Sequence, residues 1–157
     1  MKNFVLPFAL LFLVFTGPSC LKGGETCNPK TPASESAQLQ AYCAGNGITP
    51  TSHSSGMLYQ IMNPGTGASA TANSTIFITY VGKLVDGTVF DQQSNASATG
   101  WPLNQLIEGW RVGIPLIKEG GQIKLVVPSS MAYGCAGYGS IPGNAILFFD
   151  ITLVDVQ

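Results

Sequence analysis

The sequence predicts an α+β fold in which an antiparallel β-sheet of four to six strands wraps around one short α-helix. Short apolar segments alternate with polar residues, 19 glycines and 10 prolines supply turns, and one segment has helical spacing. The 157 residues, 45% hydrophobic and 10% charged, have room for one core. The formal net charge of −1 gives no attraction to phosphate backbones, so we expect no nucleic-acid partner.

The N-terminal segment predicts export. An apolar run over residues 4–15 follows Lys2 and is shorter than the roughly 18–20 residues that span a bilayer. Residues 16–20, Thr-Gly-Pro-Ser-Cys, place a small residue directly before a cysteine, which resembles the cleavage and lipidation site of bacterial lipoproteins. We therefore expect a signal peptide over residues 1–19 and an acylated Cys20 that holds the protein on a membrane surface. Secretion without a lipid is the alternative.

The three remaining cysteines suggest one disulfide bond. Cys27 and Cys43 are close enough in sequence to close a short loop, worth about 3 kcal/mol in the chain-entropy model, and we predict that they pair. Cys135 is then interpreted as a small residue in a tight loop. The cysteine spacings do not suit zinc and the lone His53 lies among serines and threonines, so we expect neither a metal nor a cofactor.

The residues after Cys20 predict a tether that leads to the main domain. Residues 34–44 contain strong helix formers and are followed by glycines, which predicts a short helix on the main domain or just outside it. Polar residues 49–55 follow. We therefore assign residues 20–55 to a lipid-anchored tether with a short helix, and residues 56–157 to the domain.

Five segments of the domain predict strands, and one predicts the helix. The turn signal Asp86-Gly87 joins two of the strands as a hairpin. Ile107, Trp110, Ile114 and Ile117 recur at helical spacing, but internal glycines and Pro115 make this helix weak unless Trp110 is buried. The predicted strands cover residues 56–62, 75–85, 88–91, 122–128 and 145–156.

A glycine-rich loop over residues 134–144 follows Tyr133 and lies between two apolar segments. With Tyr133 it offers aromatic ring faces and one phenolic hydroxyl, but no strong acid, base or nucleophile. The loop is therefore typical of a binding surface.

Several motifs together resemble one known family, the FKBP-type peptidyl-prolyl cis-trans isomerases, over residues 56–157. The resemblance is to the lipoprotein or envelope members from bacteria in particular. The motifs, in order, are Tyr-Val-Gly at 80–82, Asp-Gly-Thr-Val-Phe-Asp at 86–91, Leu-Ile-Glu-Gly-Trp at 106–110, Val-Pro at 127–128, Ala-Tyr-Gly at 132–134, Ile-Pro at 141–142 and Phe-Phe-Asp at 148–150.

The resemblance implies an apolar pocket for a prolyl ring. It makes the backbone N–H of Ile107 and the hydroxyl of Tyr133 hydrogen-bond donors to substrate carbonyls, and it places Tyr138 and Ile141 in a loop that covers the proline. The walls and floor of the pocket are then Tyr80, Phe90, Trp110 and Phe149, with Leu106 and Ile107 beside them, Asp91 on the rim and Trp101 at the edge.

The residues alone leave alternatives open at several of these positions. Aromatic side chains such as Phe90 and Phe149 on strands are usually core. Asp91 could cap a turn, or it could pair with Arg111 or with the Tyr80 hydroxyl.

The function implied by the resemblance is catalysis of rotation about X–Pro bonds, assisting the folding of envelope or secreted proteins. The implied partners are proline-containing polypeptides and macrolide inhibitors such as rapamycin, and the implied place is the bacterial cell envelope, with the protein lipid-anchored to a membrane. The alternative is a membrane-tethered module that binds peptides or unfolded chains without catalysis.

Overall fold

The computed structural model describes residues 27–157. The predicted signal peptide and the predicted lipidation site at Cys20 lie outside these residues. Within residues 27–157, no helix is long and apolar enough to cross a membrane. The helices are α1 (Pro32–Gly45) and α2 (Glu108–Gly113), and the strands are β1 (Thr51–Ser52), β2 (Leu58–Asn63), β3 (Thr75–Leu84), β4 (Val89–Gln93), β5 (Trp101–Pro102), β6 (Gln122–Val127) and β7 (Leu147–Val156).

All strand pairs are antiparallel and belong to one sheet, ordered β1-β2-β6-β7-β3-β4, with β5 paired to β3. The ten-residue strands β3 and β7 pair along most of their length. The predicted α+β class is confirmed. The described sheet has seven strands rather than four to six because β1 and β5, of two residues each, are too short to show a sequence pattern.

The inner face of the sheet holds the main core. Alternate residues of β3 point into it, and Ile76, Ile78 and Tyr80 are all buried. Helix α2 packs on this face and buries Trp110. The predicted helix over residues 107–117 is α2 followed by a 3₁₀ turn over Ile114–Leu116, because Pro115 cannot donate the next helical hydrogen bond.

Two glycines let α2 approach the sheet. A β-carbon at Gly109 would lie 2.5 Å from Val127 Cγ1, and one at Gly113 would lie 2.7 Å from Leu125 Cδ1. Each glycine costs a helix about 1 kcal/mol relative to alanine. Here the missing side chains allow helix backbone and β6 side chains to touch.

Helix α1 covers part of the outer face and forms a second core cluster. Leu39 and Cys43 lie one helical turn apart on the buried side of α1, and Val126 and Phe148 are among the sheet residues of this cluster. Thr31 caps the helix by accepting a hydrogen bond from the N–H of Ser34, in a capping box. Of the two predicted placements, the structure shows the helix packed on the domain.

The structure pairs Cys27 with Cys135, so the predicted bond between Cys27 and Cys43 is wrong, as is the interpretation of Cys135 as unpaired. Cys43 lies 11 residues into α1 from Pro32, about 16 Å along the helix axis, and faces the sheet. The Cα atoms of Cys27 and Cys135 are 5.2 Å apart although the residues are 108 positions apart in sequence. Sequence proximity favoured the shorter loop, but the rigid helix carries Cys43 away.

We predict that Gly109→Ala destabilises the protein by about 1–3 kcal/mol, because the added methyl group overlaps Val127 in a packed core. The measurement is the free energy of unfolding in urea. Gly45→Ala is the matched control, since its β-carbon would meet nothing within 4 Å at the end of α1, and it should leave stability unchanged or slightly raised. Equal stability of the two variants would contradict the packing argument.

Candidate active site

A cavity of about 300 Å³ opens between α2, β3, β4 and the segment before α2. Aromatic and aliphatic side chains provide most of its wall, and Asp91 provides the only carboxylate among the described lining residues. A site of this size and character is typical of binding a small apolar group. The lining residues are Tyr80, Phe90, Asp91, Trp101, Pro102, Gln105, Leu106, Ile107, Trp110, Tyr133 and Phe149.

Trp110 is the central aromatic ring of this cavity. It packs edge-on against Tyr80, with ring centroids 5.0 Å apart, and edge-on against Phe149 at 5.1 Å. Its ring also lies 6.4 Å from that of Trp101 with an interplanar angle of 29°. Edge-to-face contacts at these distances are favourable for aromatic rings. Helix α2 therefore holds the floor, and β3 and β7 hold rings on either side of it.

Gly82 of β3 makes room for the rings of Phe90 and Phe149. These two rings meet edge to face at 5.7 Å. A β-carbon at Gly82 would lie 2.7 Å from Phe90 Cζ and 3.1 Å from Phe149 Cε1. The glycine in the Tyr-Val-Gly motif thus lets the aromatic wall lie directly over the strand.

Tyr80 donates a hydrogen bond of 2.6 Å from its hydroxyl to Asp91 Oδ2. Of the alternatives left open for Asp91, the structure therefore shows the pairing with Tyr80. Burial is the main cause that raises the pKa of Tyr80 well above its ordinary value of 10, and the hydrogen bond to the nearby carboxylate adds to it. The phenol of Tyr80 stays neutral and is already occupied within the protein.

Three hydrogen-bond donors on residues of the cavity have no acceptor among residues 27–157: the indole N–H of Trp110, which is buried, the backbone N–H of Ile107 and the hydroxyl of Tyr133. The carbonyl of Ile107 accepts from the N–H groups of Trp110 and Arg111 at the start of α2, but the N–H of Ile107 precedes the helix and donates to no described residue. The hydroxyl of Tyr133 likewise has no partner there. Burial, followed by the negative charge of Asp91, raises the pKa of Tyr133, which keeps this hydroxyl protonated.

The structure brings together nine of the eleven predicted pocket residues and leaves two outside the lining. Tyr138 is 70% exposed and stacks on Tyr133, with ring centroids 5.3 Å apart. Ile141 is buried in the main core, and its backbone exchanges hydrogen bonds with that of Tyr138. Neither residue is part of the cavity wall. Tyr138 contacts the lining residue Tyr133, and Ile141 is hydrogen-bonded to Tyr138.

Sequence reasoning missed Pro102 and Gln105, which also line the cavity. They belong to β5 and to a 3₁₀ turn over Leu103–Gln105. Their positions between Trp101 and Leu106, which were both predicted, are the signal that could have found them.

The fold and the site define a domain with an aromatic cavity of a size that suits a small apolar ring, beside hydrogen-bond donors without protein acceptors. A family model described as FKBP-type peptidyl-prolyl cis-trans isomerase matches residues 67–154. The chain therefore belongs to the FKBP-type peptidyl-prolyl cis-trans isomerase family.

Individual relatives agree with this assignment. FKBP-type peptidyl-prolyl cis-trans isomerase FkpA of Aeromonas hydrophila is 42% identical over 120 residues, 76% of this chain and 44% of that protein. FkpA of Escherichia coli K12 is 40% identical over 105 residues, 66% of this chain and 39% of that protein. The chain thus spans about two fifths of the length of these curated relatives.

Solved structures show the same fold. The crystal structure of FkpA from Escherichia coli matches with a TM-score of 0.68 and 35% identity, covering 80% of this chain and 61% of that one. A peptidyl-prolyl cis-trans isomerase from Pseudomonas syringae matches with a TM-score of 0.67 and 29% identity, covering 83% of this chain and 98% of that one.

The raised pKa of Tyr80 predicts a loss of stability at alkaline pH. As the pH rises, the Tyr80 hydroxyl loses its proton in the unfolded chain, near its ordinary pKa of 10, before it does so in the folded protein. The free energy of unfolding therefore falls as the pH rises beyond that value. Tyr80→Phe removes this contribution. Chemical unfolding at pH about 9 and about 11 should therefore show a steeper decline for the wild type than for Tyr80→Phe. Identical declines would show that Tyr80 does not carry the effect.

Proposed function

We propose that the protein is a peptidyl-prolyl cis-trans isomerase that accelerates rotation about X–Pro bonds in polypeptides. The observation that carries this proposal is the cavity of about 300 Å³ walled by Tyr80, Phe90, Trp110 and Phe149. It is mainly apolar, it lies beside the unoccupied N–H of Ile107 and hydroxyl of Tyr133, and its described lining contains no serine, threonine, cysteine, lysine or histidine, while its one carboxylate, Asp91, accepts a hydrogen bond from Tyr80. These features suit a reaction in which no covalent bond forms or breaks.

The chemistry needs only a change in amide geometry. Rotation about a peptide bond has a barrier of about 18–20 kcal/mol because the planar amide is stabilised by resonance. In the transition state the C–N bond is twisted and the carbonyl is less polar. A site that removes water from the amide and binds the twisted form more tightly lowers this barrier, and each 1.36 kcal/mol of preference is tenfold in rate.

The aromatic wall supplies the dry environment. We place the prolyl ring on Trp110, beside the rings of Tyr80, Phe90 and Phe149, where water that would stabilise the planar amide is displaced. A macrolide inhibitor such as rapamycin would fill this cavity with one apolar ring and leave the rest of the molecule outside it.

The two phenols of the cavity have different roles. The Tyr80 hydroxyl is bonded to Asp91, so Tyr80 offers the substrate its ring while Asp91 fixes that ring. The Tyr133 hydroxyl and the Ile107 N–H are the donors for substrate carbonyls. Tyr138, stacked on Tyr133 and exposed, extends the apolar surface at the mouth of the cavity, and Ile141 anchors the loop that carries it.

We propose in addition that the protein is exported and anchored in the bacterial cell envelope through an acylated Cys20, where it assists the folding of proteins. The residues that support this are the apolar run at 4–15 and the small residue before Cys20. Because Cys27 is bonded to Cys135, the tether would be residues 20–26. Seven residues reach at most about 25 Å, so the cavity would work close to the membrane.

The proposed activity predicts a graded loss on substitution of the pocket. Phe90→Ala removes apolar contact and should lower kcat/KM on an X–Pro peptide by at least about tenfold. Tyr133→Phe removes one hydrogen bond and should lower it by about three- to tenfold. The measurement is a protease-coupled isomerisation assay, and rapamycin should inhibit the wild type.

Val154→Ala is the matched control, since Val154 is an apolar strand residue that is 45% exposed and outside the cavity lining. Its rate should equal that of the wild type. A folded wild type with no rate above the uncatalysed reaction would overturn the proposal. Peptide binding without turnover would instead support a binding module.

Lipid anchoring predicts that Cys20→Ala releases the protein from membranes. In a bacterial host that makes the full-length chain, the wild type should sediment with membranes and incorporate labelled palmitate, because acyl chains add about 0.8 kcal/mol of membrane affinity per buried CH₂. Cys43→Ala is the control and should still incorporate label. Equal labelling of Cys20→Ala and the wild type would rule out acylation at Cys20.

A further inference from the structure

Glu35 is a buried carboxylate on the opposite side of the sheet from the cavity. It lies in the first turn of α1 and is 2% exposed. Its Oε2 accepts a 2.8 Å hydrogen bond from the N–H of Ser129, 94 residues away in sequence. Its Oε1 is also buried and has no hydrogen-bond partner among residues 27–157.

This arrangement is a poor way to stabilise a fold. Burying a carboxylate is costly, and a single hydrogen bond from the described residues offsets only part of that cost. A leucine at this position would pack beside Leu39 but would leave the buried N–H of Ser129 without its acceptor. The one partner of the carboxylate among residues 27–157 is thus the backbone of Ser129, and any effect of Glu35 on the site passes through that residue.

Ser129 links this contact to the cavity. Its carbonyl accepts hydrogen bonds from the N–H groups of Ala132, at 3.1 Å, and Gly134, at 2.9 Å. These residues flank Tyr133, whose unoccupied hydroxyl lies at the cavity. Glu35 holds the N–H of Ser129 while the carbonyl of Ser129 holds the backbone on both sides of Tyr133.

Other contacts tie the same two parts of the chain together. Cys27, before α1, is bonded to Cys135, two residues after Tyr133. The side-chain amide of Asn144 donates to the carbonyl of Asn28, and the backbone N–H of Asn144 donates to the carbonyl of Gly134. The segment that contains α1 lies outside the family-model match at residues 67–154, so the family assignment alone does not account for these contacts.

We propose that Glu35 is a positioning residue that sets the place of the Tyr133 hydroxyl at the cavity by holding the N–H of Ser129. This inference rests on the proposed isomerase function, in which Tyr133 donates to the substrate. Glu35 itself does not touch the substrate. The helix that packs on the outer face thus contributes to the site on the inner face.

The test is a double-mutant cycle on kcat/KM in the isomerisation assay, using the full mature chain. Glu35→Leu keeps the volume and removes the acceptor, whereas Glu35→Gln keeps an oxygen that can accept the same N–H. We expect Glu35→Leu to lower kcat/KM about two- to fivefold, and less than about 1.5-fold when Tyr133→Phe is already present. Glu35→Gln should stay within about twofold of wild type.

A control and a milder variant keep the test decisive. Gln38→Ala removes an exposed side chain from the same helix and should not change the rate. If thermal unfolding shows that Glu35→Leu is not folded, Glu35→Asp, which draws the carboxylate back from Ser129, takes its place in the cycle. Equal losses with and without the Tyr133 hydroxyl, or no loss at all in a folded variant, would overturn the inference.

Hydrogen exchange separates failure of this inference from failure of the proposed function. The amides of Ala132 and Gly134 should exchange at least about threefold faster in Glu35→Leu than in Glu35→Gln, because local opening becomes easier. An inactive wild type would overturn the isomerase proposal and, with it, the proposed effect of Glu35 on catalysis. Unchanged exchange of both amides would overturn the positioning role even if the wild type is active.

Discussion

The close packing of α2 on β6 is the constraint on which the rest of the structure depends. Gly109 and Gly113 bring the helix backbone against the side chains of Val127 and Leu125, and this fixes Trp110 over the sheet. A six-residue helix with two glycines has little stability of its own. Helix α2 persists because it is buried against the sheet. In return, its side chains fill the core on the inner face of the sheet. The cavity floor and the fold are therefore stabilised by the same contact.

The cavity contains few polar groups, and they differ in whether the protein already pairs them. The hydroxyl of Tyr80 is bonded to Asp91, and the raised pKa values of Tyr80 and Tyr133 keep both phenols neutral. The N–H of Ile107 is available because it precedes a helix whose first turn uses the carbonyl of the same residue. Helix termini leave such groups unpaired as a matter of geometry. The start of α2 thus supplies a donor beside the floor that the same helix provides.

The outer face of the sheet carries the N-terminal segment, which is connected to the loop that contains Tyr133. Helix α1 packs there on a second apolar cluster, and the N-terminal segment is joined to the segment after β6 by the bond between Cys27 and Cys135 and by Glu35. The disulfide bond restricts the unfolded chain as well as the native loop. Within residues 20–55, assigned to a tether with a short helix, the structure packs α1 on the sheet, pairs β1 with β2 and bonds Cys27 to Cys135.

The sequence by itself determined the fold class and the position of α2, because these depend on local periodicity. It determined nine residues of the cavity wall only through the family resemblance that motifs such as Leu-Ile-Glu-Gly-Trp at 106–110 carry. The turn at Asp86-Gly87 was predictable for the same reason, since a hairpin forms between neighbours in sequence. Only the tertiary structure decided the partner of Cys135, the contact of Glu35 with Ser129 and the place of Tyr138 outside the cavity lining. The first two join residues about a hundred positions apart, and the third depends on stacking against Tyr133. Local sequence patterns therefore could not predict them.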